Sequence, residues 1–364
     1  MYPISIFHSH HVREERKGAK DRDVKYTIDI SNPLMEVQAR HVHFHSRRQT
    51  LPPLRWHHQP TSNEPLRHQS PSLRSTHQRR KVSDITIDPS RPLWFRLYVP
   101  TSIDGGYTNE DSQLPVIVYF HGGGFAWMSA NSLPCNDLCR RLARELPAII
   151  VSVNYRNSPE QRYPSQVDDC FDVIKFIENN TNLEGFPTNI NLNHCFIGGD
   201  SAGGNLAHHV AVKASEHEFL NLKFIGVISI QPFFGGEERT EPETRLAGAP
   251  LSNLEGNDWL WRAFLPEGSD KDHPAANVFG PNPGDISGLN FPATIVIVGG
   301  FDPIQEWQRR YYEGLKKCGK EANLIEYPNA FHGFYVVPEL PESSLFVKEV
   351  RKFIKEQSSK QKLK

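Results

Sequence analysis

One short stretch limits the fold more than any other part of the sequence: the glycine-flanked serine in residues 198–203, Gly-Gly-Asp-Ser-Ala-Gly. It follows a short apolar run and precedes a helix-like stretch that ends at Ala214. Where a strand turns directly into a helix, the positions two residues before and two residues after the serine have no room for a Cβ. Here those positions are Gly199 and Gly203. The stretch therefore predicts a strained Ser201, raised above a sheet edge and pointing out of the protein.

From about residue 83 onward, short apolar runs alternate with stretches of helical periodicity. Six runs have the length and continuity of buried strands: residues 116–120, 148–153, 195–198, 224–230, 294–298 and 323–327. Five stretches have apolar side chains at helical spacing: residues 138–146, 167–177, 205–214, 305–317 and 345–354. Continuous apolar strands that alternate with helices predict βαβ units and a mostly parallel sheet covered by helices on both faces. The sequence therefore predicts an α/β architecture.

Two further features define the limits of this regular region. Ahead of the first run, residues 85–87 and 93–98 predict a two-stranded hairpin that turns at residues 88–90. Residues 233–285 interrupt the alternation with tryptophan, proline and glycine. This predicts a cap-like insertion over the sheet edge at which Ser201 lies. We therefore expect one domain over residues 83–364.

Residues 1–82 differ in composition from the rest of the chain. They hold fifteen of the 41 Lys and Arg residues, seven of the 42 Asp and Glu residues and ten of the 17 histidines. A basic arm can bind nucleic acid, but the scarcity of apolar periodicity favours a poorly ordered, solvated segment. The same interpretation covers His41, His43 and His45, which alternate as metal ligands on a strand would. We expect neither nucleic acid nor a metal as a partner.

The sequence also bears on the protein's location. No apolar run approaches the roughly 20 residues that span a bilayer, and the first residues lack the apolar core of a secretory signal. The five cysteines lie in helix-like or strand-like runs, which favours reduced thiols. We expect a protein of the cytoplasm, with the nucleus as the alternative, and no membrane association. Its oligomeric state stays open.

A serine hydroxyl becomes a strong nucleophile only when a base takes its proton, so Ser201 requires a histidine and a group that orients it. Asp302 and His332 each come just past one of the predicted strands. The carboxyl ends of parallel strands meet at one edge of a sheet, where open α/β sheets bind ligands. The sequence therefore predicts that Ser201, Asp302 and His332 form a catalytic triad. The alternative for Ser201 alone is a serine that caps the following helix.

The glycine-rich stretch after the first buried strand predicts an oxyanion hole. It contains His121, Gly122, Gly123 and Gly124, and glycines let backbone N–H groups approach a substrate without obstruction. We expect the amides of Gly123, Gly124 and Ala202 to bind the developing oxyanion. His121 and Gly122 complete the motif, and we expect His121 to fix the loop through hydrogen bonds rather than to act as a second base.

Five separated motifs agree in order with one family: HGGGF, GGDSAGGNLAHHVA, NYRNSPEQRYPS, FDPIQEW and FHGF. Together they resemble the plant carboxylesterases of the hormone-sensitive-lipase group, from about residue 83 almost to the last residue. The resemblance implies an α/β-hydrolase fold and hydrolysis of small carboxylic esters. It also implies a triad of Ser201, Asp302 and His332, with no cofactor and no metal.

The sequence departs from this family at two places. Residues 1–82 do not resemble the short helical segment with which members usually begin. Where the family often has a second aspartate one turn after the triad acid, this chain has Glu306. We keep Asp302 as the acid because Glu306 is predicted to lie on a helix. We also expect Phe125 and Phe233 to line the substrate pocket.

Other functions on the same scaffold stay open. The gibberellin receptors resemble this group but have lost the triad histidine, whereas this chain keeps His332 and so favours an enzyme. The alternatives are a receptor for a hormone-type ligand, a slow hydrolase of hormone esters, and a relative that passes the acyl group to an alcohol or forms a lactone. A fold alone does not choose among them.

Overall fold

Apolar, β-branched segments form the strands of one central sheet. The computed structural model describes residues 82–100, 113–146, 148–180, 186–187 and 189–362. Its strands are β1 (Val82–Asp88), β2 (Leu93–Tyr98), β3 (Leu114–Phe120), β4 (Ile149–Asn154), β5 (Ile190–Asp200), β6 (Phe224–Ile230), β7 (Ala293–Phe301) and β8 (Ala322–Phe331). Apart from Val82, the first 82 residues lie outside the described part, as do the three alternating histidines in that segment.

The eight strands are ordered β1-β2-β4-β3-β5-β6-β7-β8. β1 pairs antiparallel with β2, and β2 pairs antiparallel with β4, whereas every later pairing is parallel. The predicted hairpin is confirmed, and its turn is closed by the Asp88 carboxylate, which accepts hydrogen bonds from the backbone and side chain of Ser90. The mostly parallel α/β sheet predicted from the sequence is confirmed as well.

Helices lie between the parallel strands and after the last of them. They are α1 (Leu133–Glu145), α2 (Ser165–Asn179), α3 (Ala202–Ser215), α4 (Glu241–Arg245), α5 (Leu254–Phe264), α6 (Gln305–Lys317) and α7 (Pro341–Lys362), with one 3-10 turn, η1 (Phe334–Val336). The five predicted helices all form. α1 and α7 begin earlier than predicted, and α7 ends later. The first turn of α1 contains Pro134, and both ends of α7 are polar, so these turns lack the apolar periodicity on which the prediction relied. Among the described residues, no helix has both the length and the apolar character needed to cross a membrane.

Two apolar cores cover the two faces of the sheet. Along β3, Val116, Val118 and Phe120 contribute to one core, whereas Ile117 and Tyr119 contribute to the other. The first core includes side chains of α2, α3, α5 and α6, and the second includes those of α1 and α7. This alternation is what a strand buried on both faces requires. The sheet therefore provides a rigid base for the loops that follow its strands.

The segment between β6 and β7 carries α4 and α5. It occupies the place of the predicted cap-like insertion at residues 233–285, and its role as a cap stays a prediction. Arg162 holds this segment to the loop that precedes α2, since its guanidinium donates to the carbonyl oxygens of Arg262, Ala263 and Leu265 at the end of α5. The backbone N–H of Tyr163 donates to the carbonyl of Phe264 beside them.

Candidate active site

Ser201 lies at the turn between β5 and α3, with a backbone φ of +52°. A Cβ at Gly199 would overlap the carbonyl group of Gly203, and a Cβ at Gly203 would overlap the carbonyl oxygen of Phe120. The strained turn and its need for two glycines are therefore confirmed. The alternative role of Ser201 as a helix cap is wrong, because its side chain makes no capping hydrogen bond to α3.

Three side chains predicted to act together lie in contact. His332 Nε2 is 2.9 Å from Ser201 Oγ, and His332 Nδ1 is 2.8 Å from Asp302 Oδ2. A carboxylate can only accept here, so His332 Nδ1–H donates to Asp302 and the bare Nε2 accepts the serine hydroxyl proton. All three residues follow or end parallel strands, at β5, β7 and β8, and all three are buried.

The charge of the site sets the basicity of His332. Burial alone would lower the pKa of His332, but the charge of Asp302 and its hydrogen bond, with a smaller contribution from Asp200, raise that pKa above its ordinary value. A neighbouring carboxylate favours the protonated imidazole in this way. His332 is thus suited to accept a proton from the serine and hold it.

Two glutamines that the sequence analysis did not single out bind the Asp302 carboxylate. Gln231 Nε2 and Gln308 Nε2 donate to Asp302 Oδ2 at 3.0 Å and 2.8 Å, and the backbone N–H of Ile304 donates to Oδ1. With His332, the carboxylate accepts four hydrogen bonds. No sequence pattern marks these glutamines, although Gln231 does stand directly after a predicted strand.

Asp200 is a second buried carboxylate that the sequence analysis did not assign. Its Oδ1 accepts hydrogen bonds from the Tyr119 hydroxyl (2.8 Å) and the Gly122 N–H (3.1 Å), and its Oδ2 accepts one from the Tyr335 hydroxyl (2.9 Å). Burial raises the pKa of Asp200, although these three hydrogen bonds oppose the shift. Asp200 thus connects the serine turn, the glycine loop and the turn η1 that follows His332.

The glycine loop after β3 has backbone conformations that favour glycine. Gly123 and Gly124 have φ values of +108° and +61°, and the Gly123 carbonyl accepts hydrogen bonds from the N–H groups of Ala126 and Trp127. A Cβ at Gly124 would overlap the side chain of Leu260 on α5. Ala202 begins α3 beside Ser201. The use of the amides of Gly123, Gly124 and Ala202 as oxyanion donors stays a prediction.

His121 supports this loop and lies fully buried. Its Nδ1 is 2.8 Å from the carbonyl oxygen of Gly122, and its ring stacks on Tyr155 at 4.2 Å between centroids. The Tyr155 hydroxyl donates to the His121 carbonyl. Burial lowers the pKa of His121 to about 4, only partly offset by the bond to Gly122. These contacts place a neutral ring against the loop, and the role of His121 in fixing the loop stays a prediction.

Phe125 and Phe233 lie in an aromatic cluster next to the glycine loop. Phe125 stacks on Phe264 with 3.6 Å between centroids, and Phe233 stacks on Trp261 with 4.4 Å. Both phenylalanines are almost fully buried. Their role in lining a substrate pocket stays a prediction.

A groove elsewhere on the protein is not part of the candidate active site, and the described residues provide no metal site. A groove of about 360 Å³ lies between residues 238–245 and 305–310, and neither Ser201 nor His332 lines it. The four arginines that line it each form an ion pair with a carboxylate. Within the described ranges, no group of three or more His, Cys, Asp or Glu side chains could hold a metal ion.

Comparison with known proteins identifies the family. Residues 117–336 match the family model described as the alpha/beta hydrolase fold. The chain is 42% identical over 278 residues to the gibberellin receptor GID1C of Arabidopsis thaliana, which covers 74% of this chain and 79% of the receptor. It is 30% identical over 285 residues to the 3-O-acetylpapaveroxine carboxylesterase CXE1 of Papaver somniferum, covering 76% of this chain and 88% of that enzyme.

A solved esterase has the same fold. The Pyrobaculum calidifontis esterase superposes with a TM-score of 0.64 at 29% identity, over 76% of this chain and 85% of the esterase. The α/β-hydrolase expectation from the sequence motifs is thereby confirmed. The chain belongs to the α/β-hydrolase fold family, in the group that includes gibberellin receptors and plant carboxylesterases.

Proposed function

We propose that this protein is a carboxylesterase that hydrolyses small carboxylic esters with Ser201 as its nucleophile. The observation that carries the proposal is the continuous hydrogen-bonded chain from Ser201 Oγ through His332 to Asp302 Oδ2, with links of 2.9 Å and 2.8 Å. The similarity to esterases of known structure supports the same reaction class. The free thiols of all five cysteines agree with a cytoplasmic location.

The first half of the reaction forms an acyl-enzyme. Ser201 Oγ attacks the ester carbonyl carbon while His332 Nε2 takes the hydroxyl proton, and Asp302 stabilises the resulting imidazolium. The amides of Gly123, Gly124 and Ala202 bind the oxyanion of the tetrahedral intermediate. His332 then gives its proton to the leaving oxygen, the ester C–O bond breaks, and the alcohol departs.

The second half releases the acid and restores the serine. His332 Nε2 takes a proton from a water molecule as that water attacks the acyl carbon, and the glycine amides again bind the oxyanion. The bond from carbon to Ser201 Oγ breaks, and Oγ recovers its proton from His332. The net change is one ester and one water converted into one acid and one alcohol, with no cofactor consumed.

One observation supports a second candidate function. The 42% identity to a gibberellin receptor suggests a ligand-binding protein on the same fold, which would bind a hormone-type ligand without turning it over. We favour the enzyme because His332 lies within hydrogen-bonding distance of Ser201 and is held by Asp302. Such a chain activates a serine, and simple binding does not require it.

The test compares Ser201→Ala with a matched serine variant. Triad residues act as a unit, so Ser201→Ala is expected to lower kcat for short p-nitrophenyl esters by roughly 10⁶. Ser229→Ala removes another buried hydroxyl, from β6, and is expected to leave kcat within about threefold of the parent protein. An organophosphate is expected to add to Ser201 in the parent protein, as read by mass spectrometry of the modified peptide.

Each alternative has its own signature in these measurements. Equal turnover by the parent protein and Ser201→Ala would falsify the assignment of the nucleophile. Tight ligand binding without turnover or organophosphate labelling would indicate the receptor. Turnover that forms a new ester when a primary alcohol is added, at the expense of free acid, would indicate acyl transfer.

A further inference from the structure

Gln231 has an unusual backbone for its residue type. It directly follows β6, its φ is +41°, and its N–H donates to the carbonyl of Ile297 on β7. Positive φ is uncommon for a residue other than glycine, and the proline at position 232 further restricts the residue before it. Strained backbone of this kind persists only where the surrounding structure fixes it, and it concentrates at functional sites.

The Gln231 side chain spans the candidate acid and the loop that carries the candidate base. Its Nε2 donates to Asp302 Oδ2 at 3.0 Å and to the carbonyl of Phe331 at 3.1 Å. Its Oε1 accepts the N–H of Gly333 at 2.8 Å. Phe331 and Gly333 are the two neighbours of His332 in the chain. One fully buried amide therefore holds both sides of His332 and the carboxylate that His332 binds.

Gly299 on β7 leaves the space that this amide occupies. A Cβ at position 299 would lie 2.6 Å from Gln231 Nε2 and 2.5 Å from the carbonyl oxygen of Ala330. A side chain there would displace the amide from Asp302. The glycine and the strained glutamine, which come from different strands, are thus both needed for the same bridge.

Gln308 provides an internal comparison. It also donates to Asp302 Oδ2, but from helix α6, and its own Oε1 makes no hydrogen bond within the described part of the chain. Of the two amides bound to this oxygen, Gln231 is the one whose remaining hydrogen bonds reach the residues around His332. Binding to the carboxylate and alignment of the histidine loop are therefore separable functions.

We propose that Gln231 is a positioning residue that keeps the His332 imidazole aligned with both Asp302 and Ser201. It holds the carboxylate oxygen and the histidine loop at a fixed separation, so the Nδ1–H bond to Asp302 and the approach of Nε2 to Ser201 are set together. The inference rests on the proposed esterase function. It goes beyond the triad because the Gln231 side chain binds Asp302 and the two chain neighbours of His332, and acts through them.

The test uses Gln231→Met, which keeps the length and burial of the side chain and removes its hydrogen bonds. A small displacement of a catalytic group can cost about 10²-fold in rate, so kcat is expected to fall by that factor while KM stays within about threefold. The matched control is Gln357→Met, a buried glutamine on α7 that binds Glu321. We expect the control to keep its kcat. Gln231→Met is expected to lose more in thermal midpoint than the control, because it removes three side-chain hydrogen bonds whereas Gln357→Met removes the bond to Glu321, so kcat is compared well below both midpoints.

A proton NMR readout is independent of turnover. The Nδ1–H of His332 is expected to give a low-field resonance in the parent protein and in Gln357→Met, because it is hydrogen-bonded to a carboxylate. In Gln231→Met this resonance is expected to shift or broaden. A parent protein without esterase turnover would refute the proposed function, and the resonance alone would then decide the role of Gln231.

Gln231→Asn is a second variant that keeps the proposal testable if Gln231→Met fails to fold. Asparagine tolerates positive φ better than glutamine, so folding is favoured, but its amide is one methylene too short to hold Asp302 and Gly333 together. We expect its kcat to fall as in Gln231→Met, and its thermal midpoint to be at least as high as that of Gln231→Met. A kcat within about threefold of the parent in either folded variant, with an unchanged Nδ1–H resonance, overturns the proposal.

Discussion

At the scale of single residues, the position of the Ser201 hydroxyl depends on the absence of two side-chain carbons. Gly199 and Gly203 face each other across the turn, and Gly203 also lies against the backbone at the end of β3. The carbonyl of Phe120 cannot move away without disturbing a central strand that pairs on both sides. The tight turn is therefore a matter of folding as much as of reactivity.

Gly203→Ala tests this dependence. Its new methyl group would overlap backbone atoms of Phe120 and His121, which cannot rotate aside as a side chain would. Overpacking of this kind typically costs about 1–3 kcal/mol and is occasionally worse, so we expect a loss at the upper end of that range. The measurement is the free energy of unfolding from urea titration.

Gly288→Ala is the control for that experiment. A Cβ at Gly288 would meet nothing within 4 Å, so its stability is expected to match the parent protein. Equal stabilities of the Gly203 and Gly288 variants would show that the turn can relax, contrary to the argument.

The residues of the site were predictable from the sequence to different degrees. Ser201, Asp302 and His332 stand out because each has a distinctive chemistry and comes just past a strand. Gln231 and Asp200 do not, since an amide or a carboxylate at a strand end gains its role only from partners distant in sequence. Their hydrogen bonds reach from position 231 to 333 and from position 200 to 335.

At the scale of secondary structure, helix α5 packs against the glycine loop. Leu260 fills the space beside Gly124, and Trp259 stacks on Trp127 at 5.4 Å between centroids. The end of the helix is held by Arg162, whose guanidinium binds three carbonyl oxygens there. A helix end needs such donors because its last carbonyls lack partners within the helix.

Arg162→Met tests the contribution of this cap. The change keeps an apolar stem and removes the charged donor, and hydrogen bonds to charged groups each contribute about 1.5–3 kcal/mol. We expect the free energy of unfolding to fall by about that amount for the cluster as a whole, since Arg162 is partly exposed. Arg262→Met, on the exposed side of α5, is the control and is expected to change stability by less than about 0.5 kcal/mol. A loss no larger than that of the control would remove Arg162 as the anchor of the insertion.

The sequence predicted the identity of the strands and helices better than their ends. The buried strands are recognisable because they are continuous apolar runs, and the central part of each helix because its apolar side chains recur. The first turn of α1 begins with Leu133 and Pro134, and the last turns of α7 are polar, so the helical state of both depends on packing rather than on a visible pattern. The two helices α4 and α5 were expected only as an interruption of the alternation, because short elements there follow tertiary contacts.

At the scale of the whole molecule, one sheet brings together residues that are far apart in sequence. The parallel strands β5, β7 and β8 all end at the same edge, and this places Ser201, Asp302 and His332 side by side. Relatives of this chain include both receptors and esterases, so the scaffold alone does not determine the function. The function depends on the groups that the loops place at that edge.

The same tightly packed interior is expected to make the protein sensitive to acid. His121 is fully buried, and its Nε2 has no hydrogen-bond partner among the described residues. A proton on Nε2 would have no acceptor, which agrees with a pKa lowered by burial to about 4 from an ordinary 6.5. Burial also lowers the pKa of His208 and of His209. In the unfolded chain these imidazoles bind protons at higher pH than in the folded protein.

The sign of the effect follows from this difference. Between about pH 6.5 and pH 4 the unfolded state binds more protons, so the free energy of unfolding falls as the pH falls, by roughly 3 kcal/mol for His121 alone. His121→Asn lacks this titration. The parent protein is expected to be the more stable of the two at pH 7, where the neutral ring stacks on Tyr155, and its advantage is expected to shrink by roughly 2–3 kcal/mol by pH 4.5. Urea titrations at several pH values measure the difference in free energy of unfolding between the two proteins. Parallel stability curves across that range would mean that His121 is already protonated in the folded protein or stays neutral in the unfolded chain.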